Sequence, residues 1–139
     1  MLIPLHTRYT DYDTKGHVNN AIYLTYFEIA RAHAWRQLVG RSPASRIAHP
    51  SPRVDEPLFI LAEATVRYLS AAMIGETLEI EMRIGEVRTK AWVWEYVIRC
   101  VDDGRTVAEG KTVQVWFDYE ARKSVPIPEE MRSALAAID

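Results

Sequence analysis

The run from Ala21 to Val39, AIYLTYFEIARAHAWRQLV, limits the fold more than any other part of the chain. Placed on a helix, Ile22, Leu24, Phe27, Ile29, Ala30, Ala34, Trp35 and Leu38 cover most of the circumference. Only Thr25, Glu28, Ala32 and Arg36 leave a narrow, less apolar stripe. A helix that is apolar nearly all round is buried, not laid on a surface. Other elements must therefore wrap it. Its ends are marked in the sequence. Asn19 or Asn20 can accept the free N–H groups of the first turn, and Gly40 is the residue type that takes the left-handed position past a helix end.

After this helix the hydrophobic period changes from that of a helix to two. Leu78, Ile80, Met82 and Ile84 alternate with Glu79, Glu81 and Arg83, and Trp92, Trp94, Tyr96, Ile98 and Cys100 alternate with Val93, Glu95, Val97 and Arg99. Such alternation marks strands. Two more strands are expected at about 58–69 and 105–118, with Asp102-Asp103-Gly104 as the hairpin turn before the last. Residues 2–10 suit a short edge strand, Asp11 to Gly16 is turn-rich, and a short helix is expected to begin near Pro128. Residues 41–57 hold four prolines and form a loop longer than most connections, the kind that serves function or subunit contact. Strands that follow one another with short turns favour an antiparallel meander over parallel βαβ units. The expected class is α+β, a single domain over 1–139 with one long helix against a curved antiparallel sheet. A chain of this length can bury roughly 68% of its unfolded surface.

Composition narrows the function. With 17 Lys+Arg against 19 Asp+Glu the net charge is −2, so no basic excess is present to hold a nucleic-acid backbone. No run approaches a membrane span, and no basic-then-apolar leader opens the chain. The lone Cys100 excludes an internal disulfide and suits a reducing compartment, so the cytoplasm is the expected location. His6, His17, His33 and His49 have no metal-ligand spacing. Phosphate-binding glycine motifs and the serine-hydrolase elbow are missing.

The stretch RYTDYDTKGHVNNAIYLTYFEIAR resembles the opening of hotdog-fold thioesterases of the 4-hydroxybenzoyl-CoA and acyl-CoA thioesterase group. VRYLSAAMIGETLEI, TKAWVWEYVI and VAEGKTVQVWFDYEARKSVPIPEEM continue the likeness, which covers about residues 3–132. The HVNN step is also similar to plant-type acyl-carrier-protein thioesterases, whose pattern is D-x-N-x-H-V-N-N. The resemblance implies a five-stranded sheet wrapped round the helix, a homodimer or homotetramer with sites at the subunit interface, and no cofactor. The implied reaction is hydrolysis of an acyl-CoA, or an acyl-carrier-protein thioester. A hotdog hydratase is a weaker fit, because its D-x-N-P-x-H spacing is not met. A non-catalytic acyl-CoA-binding protein is the third reading.

By position, Asp13 matches the family's catalytic aspartate, as general base for water or as nucleophile; an Asx-turn is its bland alternative. Asn20 matches the position whose backbone N–H faces the thioester oxygen, and Asn19 is expected to cap or turn the chain. His17 stands where the plant-type enzymes carry a catalytic histidine, although Lys15 replaces their asparagine. Tyr23, in the Y-L-x-Y-F-E run, is expected at the substrate side or, with Glu28, in packing and the dimer seam. Glu63 could lie near a partner's site. Arg88 and Lys90, at the tip between the two clearest strands, could hold coenzyme A phosphates or form a solvated hairpin tip. Trp92 and Trp94 are expected in the core or a tunnel wall, and Asp11 and Lys15 at the turn and the surface.

Overall fold

The computed structural model describes residues 1–41 and 59–138. The proline-rich loop expected at 41–57 lies, apart from Arg41, outside the described residues. In chain order the elements are β1 (Leu2–Leu5), a 3-10 turn (Tyr9–Asp11), α1 (Ile22–Arg41), β2 (Phe59–Tyr68), β3 (Leu78–Val87), β4 (Ala91–Cys100), β5 (Thr106–Asp118), β6 (Lys123–Ser124) and α2 (Glu129–Ala136). The helix entry is made by Asn19, whose Oδ1 accepts the Ala21 N–H at 3.0 Å and whose carbonyl accepts the Ile22 N–H at 2.9 Å. Gly40 does not end α1, which continues to Arg41. A glycine stops a helix only where it takes the left-handed conformation, and one in helical geometry simply extends it.

The five main strands form one antiparallel sheet in the order β1-β3-β4-β5-β2, with the two-residue β6 added beside β5. The meander holds for β3, β4 and β5 only. β2 sits on the far side of β5, so residues 69–77 carry the chain across the ends of β5 and β4 to reach β3. Alternation could assign each strand a face but not a neighbour, because pairing is settled by non-local packing. Register shifts at Leu61/Glu63, Ile84/Val87 and Ile98/Arg99 are irregularities of the kind that bend strands and curve a sheet.

Tyr23, Tyr26, Phe27, Ala30, Ala34, Trp35 and Leu38 bury one face of α1. The concave face of the sheet meets them with Leu78, Ile80, Met82, Trp92, Trp94, Tyr96, Ile98 and Trp116. Phe27 stacks on Tyr96 with ring centres 4.3 Å apart, and Trp35 packs edge-on to Phe59 at 5.4 Å. Each large apolar side chain so buried stabilises the fold by about 1.5–3 kcal/mol. Trp92 and Trp94 are core residues.

The expectation that α1 is enclosed all round fails for one chain. Leu24 is 41% and Ile29 45% exposed, because a single sheet reaches only one side of a helix. β2 is also open: among the described residues it pairs with β5 alone, and Ile60, Leu61 and Tyr68 on it are exposed. No helix among the described residues is long and apolar enough to cross a membrane.

Candidate active site

The stretch Asp11–Asn19 folds into a closed turn in front of α1. Tyr12 bridges to Val18, the Asp11 carbonyl accepts the Asn19 N–H at 2.8 Å, and the Gly16 N–H donates to the Asp13 carbonyl at 3.1 Å. Gly16 has φ +76°, the left-handed conformation that costs glycine nothing. The turn is fastened to the crossover segment. His17 bridges to Met73, Val18 N–H donates to the Ala72 carbonyl at 2.9 Å, and Ile74 N–H donates to the Gly16 carbonyl at 2.9 Å.

Asp13 is exposed at the tip. Its Oδ1 accepts the Lys15 N–H at 2.8 Å and the His17 N–H at 3.1 Å, while Oδ2 has no partner among the described residues. The Lys15 amide first holds the carboxyl below its ordinary 3.8; burial opposes it, and the His17 amide with the His17 and Lys15 side chains adds to the lowering. The group is therefore an ionised carboxylate with one oxygen free. The Asx-turn geometry and an available base are the same arrangement, not alternatives.

Asn20 lies between this turn and α1. Its carbonyl accepts the Tyr68 hydroxyl at 2.8 Å, whereas its own N–H has no acceptor among the described residues. Asn19, not Asn20, supplies the side-chain cap. A free backbone N–H at a helix entry is a donor suited to a developing negative oxygen. Asp13, His17, Asn20, Tyr23, Tyr68 and Ser70 border one open pocket of about 390 Å³. The His17 imidazole makes no hydrogen bond among the described residues. Tyr23 is buried, with its ring 5.3 Å from that of Tyr68; burial first pushes its phenol above the usual 10.0, opposed by the Ala72 amide.

Sequence reading missed the far wall. Tyr68, Leu69, Ser70 and Ala71 line the pocket because the crossover is pinned behind them. Ser70 Oγ donates to the Thr106 carbonyl at 2.9 Å, and Arg105 donates to the Ala71 carbonyl at 2.9 Å while pairing with Glu76 and Asp103, each at 2.5 Å. These are long-range contacts of ordinary residue types and carry no local signal. Asp11 is a correction: it lies in a turn as expected, but it is wholly buried, not at the surface. Lys15 is exposed.

A family model described as the thioesterase-like superfamily matches residues 7–135. The chain belongs to this superfamily. It is 28% identical over 131 residues to the acyl-acyl carrier protein thioesterase ATL3 of Arabidopsis thaliana, covering 94% of this chain and 65% of that protein. It therefore spans just under two thirds of the plant protein's length. It is 26% identical over 123 residues to the long-chain acyl-CoA thioesterase FadM of Escherichia coli (strain K12), covering 88% and 87% of the two. A thioesterase from Thermus thermophilus, solved in complex with coenzyme A and Zn, superposes with a TM-score of 0.80 at 26% identity over 98% of this chain and 97% of that one. The architecture is the hotdog fold of these thioesterases.

Three residues expected at the thioesterase site are not brought to it within one chain. Glu63 is exposed on the convex face of β2, opposite Val113. Arg88 and Lys90 belong to the β3–β4 tip, where Arg88 pairs with Glu86 at 2.7 Å and the Arg88 carbonyl accepts from Arg132 of α2. That tip is at the Phe59 end of β2, whereas the pocket is at the Tyr68 end, about 30 Å away along the ten residues of the strand. Among the described residues no three His, Cys, Asp or Glu side chains come together as a metal site.

Proposed function

We propose that this thioesterase-like protein hydrolyses acyl-CoA thioesters to the free acid and coenzyme A thiol. The observation that carries the reading is one pocket bordered by a carboxylate with an unused oxygen, Asp13, and a backbone N–H without an acceptor, Asn20. The thioester carbonyl oxygen points at the Asn20 N–H. Asp13 takes a proton from water as the water oxygen bonds to the carbonyl carbon, and the Asn20 N–H stabilises the resulting oxyanion. Collapse of the tetrahedral species breaks the C–S bond, and the proton held by Asp13 passes to the departing sulfur. A thiol of pKa about 8.5 leaves without a strong acid. Direct attack by Asp13 through a transient anhydride uses the same geometry. His17 positions the water or polarises the carbonyl. The test is thiol release from a panel of acyl-CoAs of varied chain length with an aryl member included; a folded protein inactive on every member would sink the reading. The similarity to ATL3 favours one second reading, an acyl-carrier-protein thioester as substrate, and the same panel presented on carrier protein separates the two.

Asp13 works only as the carboxylate, and its pKa lies below 3.8. Activity is therefore expected to persist as pH falls towards 3.8 and to be lost only below it, when Asp13 is protonated. Initial rates across pH, on protein shown folded by circular dichroism at each point, check this. An acid limb well above 3.8 would assign the essential base to another group.

The working unit is a homodimer, and the cytoplasm suits its single buried thiol, Cys100. Two-fold pairing of the open β2 edges runs antiparallel, which sets the Phe59 end of one chain, with Glu63, Arg88 and Lys90, beside the Tyr68 end and pocket of the other. It would also cover Leu24, which is exposed on the β2 side of α1, and Leu61 on β2 itself. Light scattering should give about twice the 16.0 kDa chain mass. The double variant Leu24→Glu, Leu61→Glu should fold, since both sites are exposed in one chain, yet run at the mass of one chain. A dimer unaffected by it would place the interface elsewhere.

A further inference from the structure

Both reactive groups of the proposed site hang on separate bodies. Asp13 belongs to the closed turn, while the Asn20 N–H belongs to the entry of α1. Their relative position needs a tie, and the structure contains one that no part of the proposed chemistry uses. The Asp11 carboxylate is fully buried. Its Oδ2 accepts the Arg8 N–H at 2.9 Å and the Tyr26 hydroxyl at 3.0 Å, and its Oδ1 accepts the Arg8 guanidinium through Nε at 3.2 Å and Nη2 at 3.1 Å. Tyr26 is 1% exposed and stands on α1, near its start. The Asp11 carbonyl holds the Asn19 N–H at 2.8 Å, directly before Asn20.

We propose that Asp11 and Tyr26 form a buried positioning clamp that sets the Asp13 carboxylate against the Asn20 N–H at the helix entry. The proposal rests on the thioesterase reading of that pocket. A buried carboxylate left partly unpaired is costly, so the turn can leave its place only by giving up these bonds together. Burial first, and then the neighbouring Asp11 charge, push the Tyr26 phenol above its ordinary range, so it remains a donor at any working pH. The Arg8 guanidinium is 64% exposed and is replaceable by water, which leaves the tyrosine as the link that ties turn to helix.

Tyr26→Phe removes only the hydroxyl and keeps the ring packing. Hydrogen exchange at the Lys15 and His17 amides, which hold Asp13, should quicken on the order of tenfold, the worth of one buried hydrogen bond. In acyl-CoA hydrolysis kcat should fall about 10- to 100-fold, the scale of a small misplacement of reacting groups, with KM little changed. Asp11→Asn should move both readouts the same way and stands in if the first variant is poorly folded. Leu135→Ala, in the core under α2, controls for stability alone: it should lower the melting temperature while leaving exchange at Lys15 and His17 and kcat as in the parent. Folded Tyr26→Phe with parental exchange and kcat overturns the clamp, and so does an equal loss of kcat in Leu135→Ala. If the parent protein hydrolyses no thioester, the thioesterase reading fails, while the exchange rates still decide whether Asp11 and Tyr26 hold the turn.

Discussion

Asp13→Asn is expected to lower kcat/KM for thioester hydrolysis by about 10²- to 10⁴-fold, the usual worth of a positioned general base. The substitution is chosen because an asparagine Oδ1 can still accept the Lys15 and His17 N–H groups that Asp13 Oδ1 accepts now. The turn therefore keeps its shape, and Asn20 still offers its N–H. What disappears is the free anionic oxygen that removes a proton from water or attacks the carbonyl. KM should change little, because the pocket wall of Tyr23, Tyr68 and Ser70 is untouched. Thiol release on the best substrate of the panel, with circular dichroism to show an intact fold, measures it. A folded variant within about threefold of the parent rate would remove Asp13 from the chemistry.

Gly110→Ala should be the most damaging single-atom addition to the fold. Gly110 lies on β5 directly beneath α1, and a Cβ built there would stand 2.3 Å from the Thr65 carbonyl oxygen and 2.6 Å from Phe27 Cε2. The oxygen is backbone, held in the β2–β5 ladder, so it cannot swing aside, and Phe27 is stacked on Tyr96. Relief requires α1 to lift or β2 to part from β5. The expected cost is about 3 kcal/mol, the upper part of the range for overpacking, which for a domain of this size lowers the melting temperature by about 12 °C. Thermal unfolding followed by circular dichroism checks it. By contrast Gly75→Ala meets no atom within 4 Å, although its φ of +86° still strains the new residue. If Gly110→Ala melted with the parent, the close seating of Phe27 on β5 would be wrong.

The ladder of β3 and β4 was readable because period two reports directly which side chains share a face, and the structure puts Leu78, Ile80, Met82, Trp92, Trp94, Tyr96 and Ile98 on the buried one. The helix was readable from its long apolar run, though not which side it buries, and its entry from Asn19 or Asn20, of which Asn19 is the cap. Asp13 stands out as a candidate through family likeness and its setting in a polar turn, not through any property of one aspartate. Asp11 shows the limit. Two residues away, of the same type and in the same turn, it is buried while Asp13 is exposed, held by Tyr26 from the helix and by Arg8 from before the turn.

By itself the sequence determined the α+β class, the strands, the long helix and the family, and named candidates for the chemistry, since periodicity, turn chemistry and motif are local along the chain. Only the tertiary structure decided that β2 leaves the meander to lie beyond β5, that the crossover at 69–77 walls the pocket, and that α1 keeps Leu24 and Ile29 exposed. Those outcomes depend on which surfaces meet across long stretches of chain, and a pattern of apolar and polar residues states that a face must be covered without stating by what.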